Sequence, residues 1–276
     1  MSRTVGIIAG NGVLPIELAQ AVTAAGQRVF VVGIEGEAGP EIAAFDHVRL
    51  GWGRFGRLFS LLEAEGVREV AFAGGVRRRP ELRLVHLDVE TLRMLPRLIA
   101  MLMSGDDTIL SGLARMFEER GFELIGTGQV APRLLLGAGT SVGQVGRKSA
   151  KQIEFGAKIV RALGPYDVGQ GVVICGRRAV AVEGLEGTDA MLERVERLRD
   201  AERLSDRRDG VLVKVPKPQQ DKRFDVPAIG PSTISLARRA GLRGIAGEAG
   251  GLLVLERSRT LELAQAHGLF IYGLAP

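Results

Sequence analysis

The chain predicts a doubly wound α/β fold in two parts, and three observations predict it. Strand and helix signals alternate through the first half. The first strand runs directly into a glycine loop and a helix. Near Pro132 the periodicity gives way to an aperiodic, glycine-rich stretch, and a different pattern follows it.

Residues 5–9 form a short apolar strand, and residues 14–25 an alanine-rich helix. Residues 28–34 (RVFVVGI) are a continuous apolar run, the pattern of a strand buried on both faces of a parallel sheet. Residues 55–64 predict a helix, 69–73 (EVAFA) a second buried strand, 89–103 and 108–120 two helices, and 122–125 a closing strand. Residues 1–132 therefore predict a Rossmann-like nucleotide-binding domain. The stretch LLLGAGTSVGQVGRK lacks any period and predicts a domain junction. Residues 133–276 predict a distinct, mixed α/β catalytic domain. Its elements are a helix over 149–163, a hairpin of strands 171–175 and 179–182, a charged helix over 189–204 and a strand over 211–215. A proline-punctuated loop runs from there to Pro231, and helix, strand, strand, helix and strand complete the chain.

Composition narrows the chemistry. The 276 residues are 46% apolar and 25% charged, enough to bury a full core and unlike a disordered chain. A formal charge of +5 suits anionic ligands or an anionic membrane face. Aromatic residues are only 5%, too few for base-stacking platforms, so nucleic acid is not expected. Cys175 stands alone and the three histidines are scattered, which excludes a disulfide framework and a thiolate or histidine metal cluster. Any metal is then a hard cation held by carboxylates and phosphate oxygens, Mg²⁺ or Mn²⁺. The N-terminus has no signal-peptide pattern, and the most apolar stretch, 95–103, is short and broken by Arg97. A cytoplasmic, soluble protein is expected, with transient contact at the inner membrane face allowed.

Two glycine turns point to a nucleotide. Gly10-Asn11-Gly12 lies between the first strand and a helix opened by Pro15, where backbone N–H groups approach phosphate. The dinucleotide fingerprint needs a third glycine where Pro15 stands, while Glu35 ends the second strand where a ribose-binding acid would sit. Gly74-Gly75-Val76 and Arg77 leave the carboxyl end of the EVAFA strand, so the two turns are expected to line one crevice.

The most unusual stretch is LVKVPKPQQDKRFDVPAIGPST. Its prolines exclude a helix, and Val211, Val213 and Val215 share one strand face, which turns Lys214 to the other. Within it Lys214, Lys217, Asp221, Arg223 and Asp225 place two carboxylates among cations, as a divalent metal and a polyphosphate require together. Ser232 reads as the N-cap of the helix that follows, and Thr188 and Asp189 as the cap and first turn of an earlier one.

AGNGVLP, AGGVRRRP, DDTIL, the run from Asp167-Val-Gly-Gln170 through AVEGLEGTDAML, and LVKVPKPQQDKRFDVPAIGP occur in that order over nearly the whole chain. Together they resemble the UDP-2,3-diacylglucosamine diphosphatases of the LpxI type. Gln219 departs from that family's KPGQD, whereas Lys217, Gln220, Asp221 and Asp225 match. The resemblance implies a Mg²⁺-dependent homodimeric enzyme of lipid A biosynthesis, releasing UMP and 2,3-diacylglucosamine 1-phosphate by attack of water at the α-phosphorus. On that reading Lys214, Lys217 and Arg223 neutralise the diphosphate, and Asp225, with Asp221 or Asp189, holds the metal or orients water. Gly10, Asn11, Gly12, Gly75, Val76, Arg77, Gln170, Gly187, Thr188, Asp189 and Thr233 are the expected substrate contacts. Two other classes stay open: a nicotinamide-dependent oxidoreductase resting on Gly10, Gly12 and Glu35, and a non-catalytic module that binds a nucleotide-linked lipid.

Overall fold

A computed structural model describes residues 3–76, 87–102, 106–204, 209–217, 223–224 and 226–275. The chain divides into two compact units, residues 1–132 with 221–225, and residues 133–220 with 226–276.

In the first unit the order is β1 (Thr4–Ala9), α1 (Leu14–Ala24), β2 (Arg28–Ile34), β3 (His47–Leu50), α2 (Phe55–Ala64), β4 (Val67–Ala73), α3 (Val89–Leu102), α4 (Asp106–Glu118), β5 (Glu123–Leu124) and α5 (Thr127–Val130). The five strands pair in parallel in the order β3-β2-β1-β4-β5. The chain builds outward from β1 on one side and then returns to its other side, so the order reverses between β1 and β4. In open sheets of this kind the crevice at that reversal, at the carboxyl ends of the strands, is where ligands bind. The core gathers Phe59, Phe72, Phe117 and Phe122, with Phe59 and Phe72 each packed edge-on to Phe117 at 5.1 Å. Phe224, contributed from late in the chain, lies 5.2 Å from Phe72.

The second unit contains β6 (Gly139–Val142), α6 (Arg147–Leu163), β7 (Gly171–Cys175), β8 (Arg178–Val182), α7 (Gly187–Asp200), β9 (Val211–Lys214), β10 (Ala228–Ile229), α8 (Pro231–Arg239), β11 (Gly244–Glu248), β12 (Leu253–Val254), α9 (Arg257–Ala266) and β13 (Phe270–Leu274). Its main sheet runs β6-β13-β11-β9-β7-β8, parallel through β13, β11 and β9 and antiparallel at β6, β7 and β8. Helices cover both faces. Ile153, Ala157 and Val160 of α6 pack with Val211, Val213 and Val215, while Met191, Leu192 and Val195 of α7 and Ile234 of α8 pack with Leu212. Strand alternation therefore sends Lys214 toward the side that carries α7 and α8. Among the described residues no helix is long and apolar enough to cross a membrane.

Candidate active site

The strand reversal in the first unit brings the two glycine turns into contact. The Gly10 N–H donates to the Ala73 carbonyl at 2.8 Å, and Asn11 and Gly75 exchange backbone hydrogen bonds of 2.8 and 3.2 Å. The Asn11 side-chain amide donates to the Gly75 carbonyl at 2.8 Å and to Glu37 at 3.2 Å. The approach is so close that only glycine fits: a Cβ on Gly10 would lie 2.3 Å from the Gly75 oxygen, and one on Gly74 would lie 2.3 Å from the Asn11 oxygen. Val13 precedes α1 without a side-chain cap, and its carbonyl accepts from the Ile16 and Glu17 N–H groups at 3.1 Å. Val76 is exposed at its rim.

Phe224 packs against Phe72, which lies two residues before Gly74 on the same strand. The neighbouring Arg223 forms an ion pair with Glu118 at 2.9 Å. Asp221, Asp225 and Arg77 lie outside the described residues.

The second unit holds a buried cluster of charge at the carboxyl edge of its sheet. Lys214 is 5% exposed at the end of β9. Its ammonium donates to the Thr188 hydroxyl at 2.6 Å, lies 3.6 Å from a carboxylate oxygen of Glu183 and reaches the Ala228 carbonyl at 3.4 Å. Thr188 in turn donates to Glu183. The other Glu183 oxygen is buried and has no hydrogen-bond partner among the described residues. Asp189 follows in the first turn of α7, and its carboxyl is raised above the usual range. Burial is the main cause, opposed by the nearby Lys214 charge and by a hydrogen bond from Ser232.

The capping roles predicted for Thr188 and Ser232 differ from what is found. Helix α7 begins at Gly187, in a left-handed conformation at φ 78°, and Glu186 holds the cap position. Thr188 is thus inside the helix, which frees its hydroxyl to bridge Lys214 and Glu183. Helix α8 likewise begins at Pro231, where the Thr233 hydroxyl accepts from the Gly230 N–H at 3.4 Å and Ser232 turns to Asp189. The early glycine and proline supply the helix start, so the hydroxyls are released for the cluster. Gln170 lies at the same edge, its carbonyl accepting from the Val215 N–H at 3.0 Å. Lys217 is paired with Asp167, a partner the sequence motifs contain without marking its role. Glu183 lies in the run AVEGLEGTDAML as one of a group with Glu186, Thr188 and Asp189, and its contact with Lys214 is what gives it a role.

Residues 4–134 match the LpxI N-terminal domain family, and residues 138–272 match the LpxI C-terminal domain family. The chain belongs to the LpxI family. Over 277 aligned residues it is 42% identical to the UDP-2,3-diacylglucosamine pyrophosphatase LpxI of Caulobacter vibrioides, covering 99% of this chain and 98% of that protein. Similarity to solved structures is slight. The biotin carboxylase domain of Hydrogenobacter thermophilus 2-oxoglutarate carboxylase is 12% identical at a TM-score of 0.27, over 77% of this chain and 44% of that one. N5-carboxyaminoimidazole ribonucleotide synthetase of Thermotoga maritima is 14% identical at 0.23, over 75% and 45%. The chain spans under half the length of either.

Proposed function

We propose that this chain hydrolyses the diphosphate of UDP-2,3-diacylglucosamine to UMP and 2,3-diacylglucosamine 1-phosphate. The observation that carries the reading is the near-full-length match to a relative named for that pyrophosphatase activity. In this reading the Gly10–Gly12 and Gly74–Gly75 cradle holds the uridine half, and Lys214, Lys217 and Arg223 act on the diphosphate. A diphosphate also explains why Lys214 is buried beside Glu183: the acid and Thr188 orient its ammonium, and the developing phosphate charge draws on it in the transition state.

Mg²⁺ is the cation we assign, or Mn²⁺ in its place, held by Asp225, Asp221 and Asp189. Asp189 fits the role, because burial disfavours its anion and a divalent cation would restore it. When bound, the metal supplies Lewis-acid polarisation of phosphoryl oxygen. Asp225 orients the attacking water, and attack falls on the α-phosphorus. The enzyme is proposed to work as a homodimer in the cytoplasm, meeting its lipid substrate at the inner membrane face.

The test is incubation with UDP-2,3-diacylglucosamine with Mg²⁺ and with chelator, in water enriched in heavy oxygen. UMP carrying the label is expected with Mg²⁺ and none with chelator; no UMP under any condition refutes the activity. Label in the lipid product instead moves attack to the other phosphorus. Asp225→Ala should abolish turnover while leaving the unfolding transition unchanged, and near-normal turnover would remove Asp225 from the mechanism.

A further inference from the structure

At the amino edge of the second unit's sheet, opposite Lys214, lies a cavity of about 580 Å³. Arg243 and Phe270 line it where β11 and β13 begin, Gln265 from α9, and Gln144, Lys148 and Ser149 where β6 passes through a glycine loop into α6. This is the segment whose lack of period suggests a simple junction. It instead forms a strand, a Gly-Gln-Val-Gly turn and a helix of 17 residues.

The chemistry of that turn is unusual for a helix start. Gly146 holds the cap position and has no side chain to satisfy the free amide groups. The first turn carries Arg147 and Lys148 and no acid, so like charge is concentrated at the positive end of the helix dipole. A bound anion would relieve both conditions.

The side chains give the independent indication. Ser149 is 4% exposed and lines the cavity, yet its hydroxyl has no hydrogen-bond partner among the described residues. Arg243, Gln144 and Gln265 also line the cavity without a side-chain hydrogen bond or ion pair among the described residues. Lys148 is different, since Asp209 holds it at 2.9 Å; Arg243 therefore supplies the uncompensated positive charge. Arg243, Gln144 and Gln265 are exposed, and their polar groups line the same volume as Ser149 and the start of α6.

We propose that this cavity binds a phosphate-bearing small molecule. The phosphate sits on the first-turn amides of α6, the Ser149 hydroxyl and the Arg243 guanidinium. Gln144 and Gln265 meet the polar body of the ligand, for which a volume of this size leaves room. The site stands apart from the diphosphatase reading, because it lies at the other edge of the sheet from Lys214 and uses none of the same residues.

The test is a titration of the full ¹⁵N-labelled chain with inorganic phosphate, at ionic strength held constant with chloride, following the amide signals of Gly146, Lys148 and Ser149. Saturable shifts at these amides are expected, with a midpoint at least tenfold higher in Arg243→Ala, an exposed position whose replacement leaves the core intact. Ser149→Ala should also raise the midpoint. No saturable shift there, or an Arg243→Ala midpoint equal to the parent's, overturns the proposal. Shifts confined to Gly10–Gly12 or to the surroundings of Lys214 also overturn it. The measurement needs no turnover, so failure of the proposed activity would leave this result readable.

Discussion

The glycine cradle of the first unit and the Lys214 cluster of the second are made of opposite materials. In the cradle most contacts are backbone, and the two turns touch because Gly10 and Gly74 carry no side chain. In the cluster the contacts are side chains, with Lys214 and Glu183 buried as charges. The first is held by geometry and tolerates no added atom; the second is held by electrostatics and tolerates no missing partner. Substitutions in the two should therefore fail in different measurements.

The largest effect is expected at Lys214. Lys214→Met removes the donor and leaves Glu183 buried without its cation, so turnover should fall by about 10²–10³ and stability by roughly 3–5 kcal/mol. Urea unfolding and single-turnover kinetics measure the two losses. Adding Glu183→Gln to Lys214→Met should restore most of the stability and none of the activity. Recovery of both would mean the cluster is only a structural ion pair.

Gly10→Ala tests the other region. Its Cβ would press on the Gly75 oxygen and part the two turns, destabilising by about 1–3 kcal/mol. If the cradle holds uridine, KM should rise by about tenfold with little change in kcat. An unchanged KM would break the assignment of the nucleotide to this loop.

The smallest effects are in pH dependence, and their signs oppose. Asp189 is raised by burial, so its folded form binds protons more readily than the unfolded chain. Its contribution falls as pH rises from the ordinary carboxylate range through its folded value. Asp189→Asn should then be more stable than the parent near neutrality, with the difference vanishing in acid. For Asp209, burial works to raise the carboxyl, but hydrogen bonds from Lys148 and Gln152 prevail and lower it. That stability is present above the ordinary carboxylate range and lost as pH falls through the folded value, so Asp209→Asn should be destabilised at neutrality. Thermal unfolding across pH distinguishes the two, and parallel curves would sink both assignments.

Much of this architecture was legible in the residues, for physical reasons that also explain the omissions. Strands β2 and β4 announce themselves because burial on both faces demands an unbroken apolar run. Strand β3 does not: His47-Val-Arg-Leu50 is an edge strand with alternately exposed side chains. Strand β6 hides in a glycine-rich stretch and pairs only with β13. The turn of Lys214 to the face opposite the valines followed from their alternation, whereas Thr188 looked like a cap because helix starts shift easily by one or two residues.

By itself the sequence determined most of the buried strands and where the backbone needs glycine. Both depend on period and short spacing. Only the tertiary structure decided that Asn11 meets Gly75, 64 residues away, and that Lys214 meets Thr188, 26 residues away. Strand order sets those distances, and strand order is a property of the whole packed sheet. The cavity beside Ser149 belongs to the same class. Nothing in Gly-Gln-Val-Gly-Arg-Lys-Ser requires an opening there until the starts of β11 and β13 come to face it.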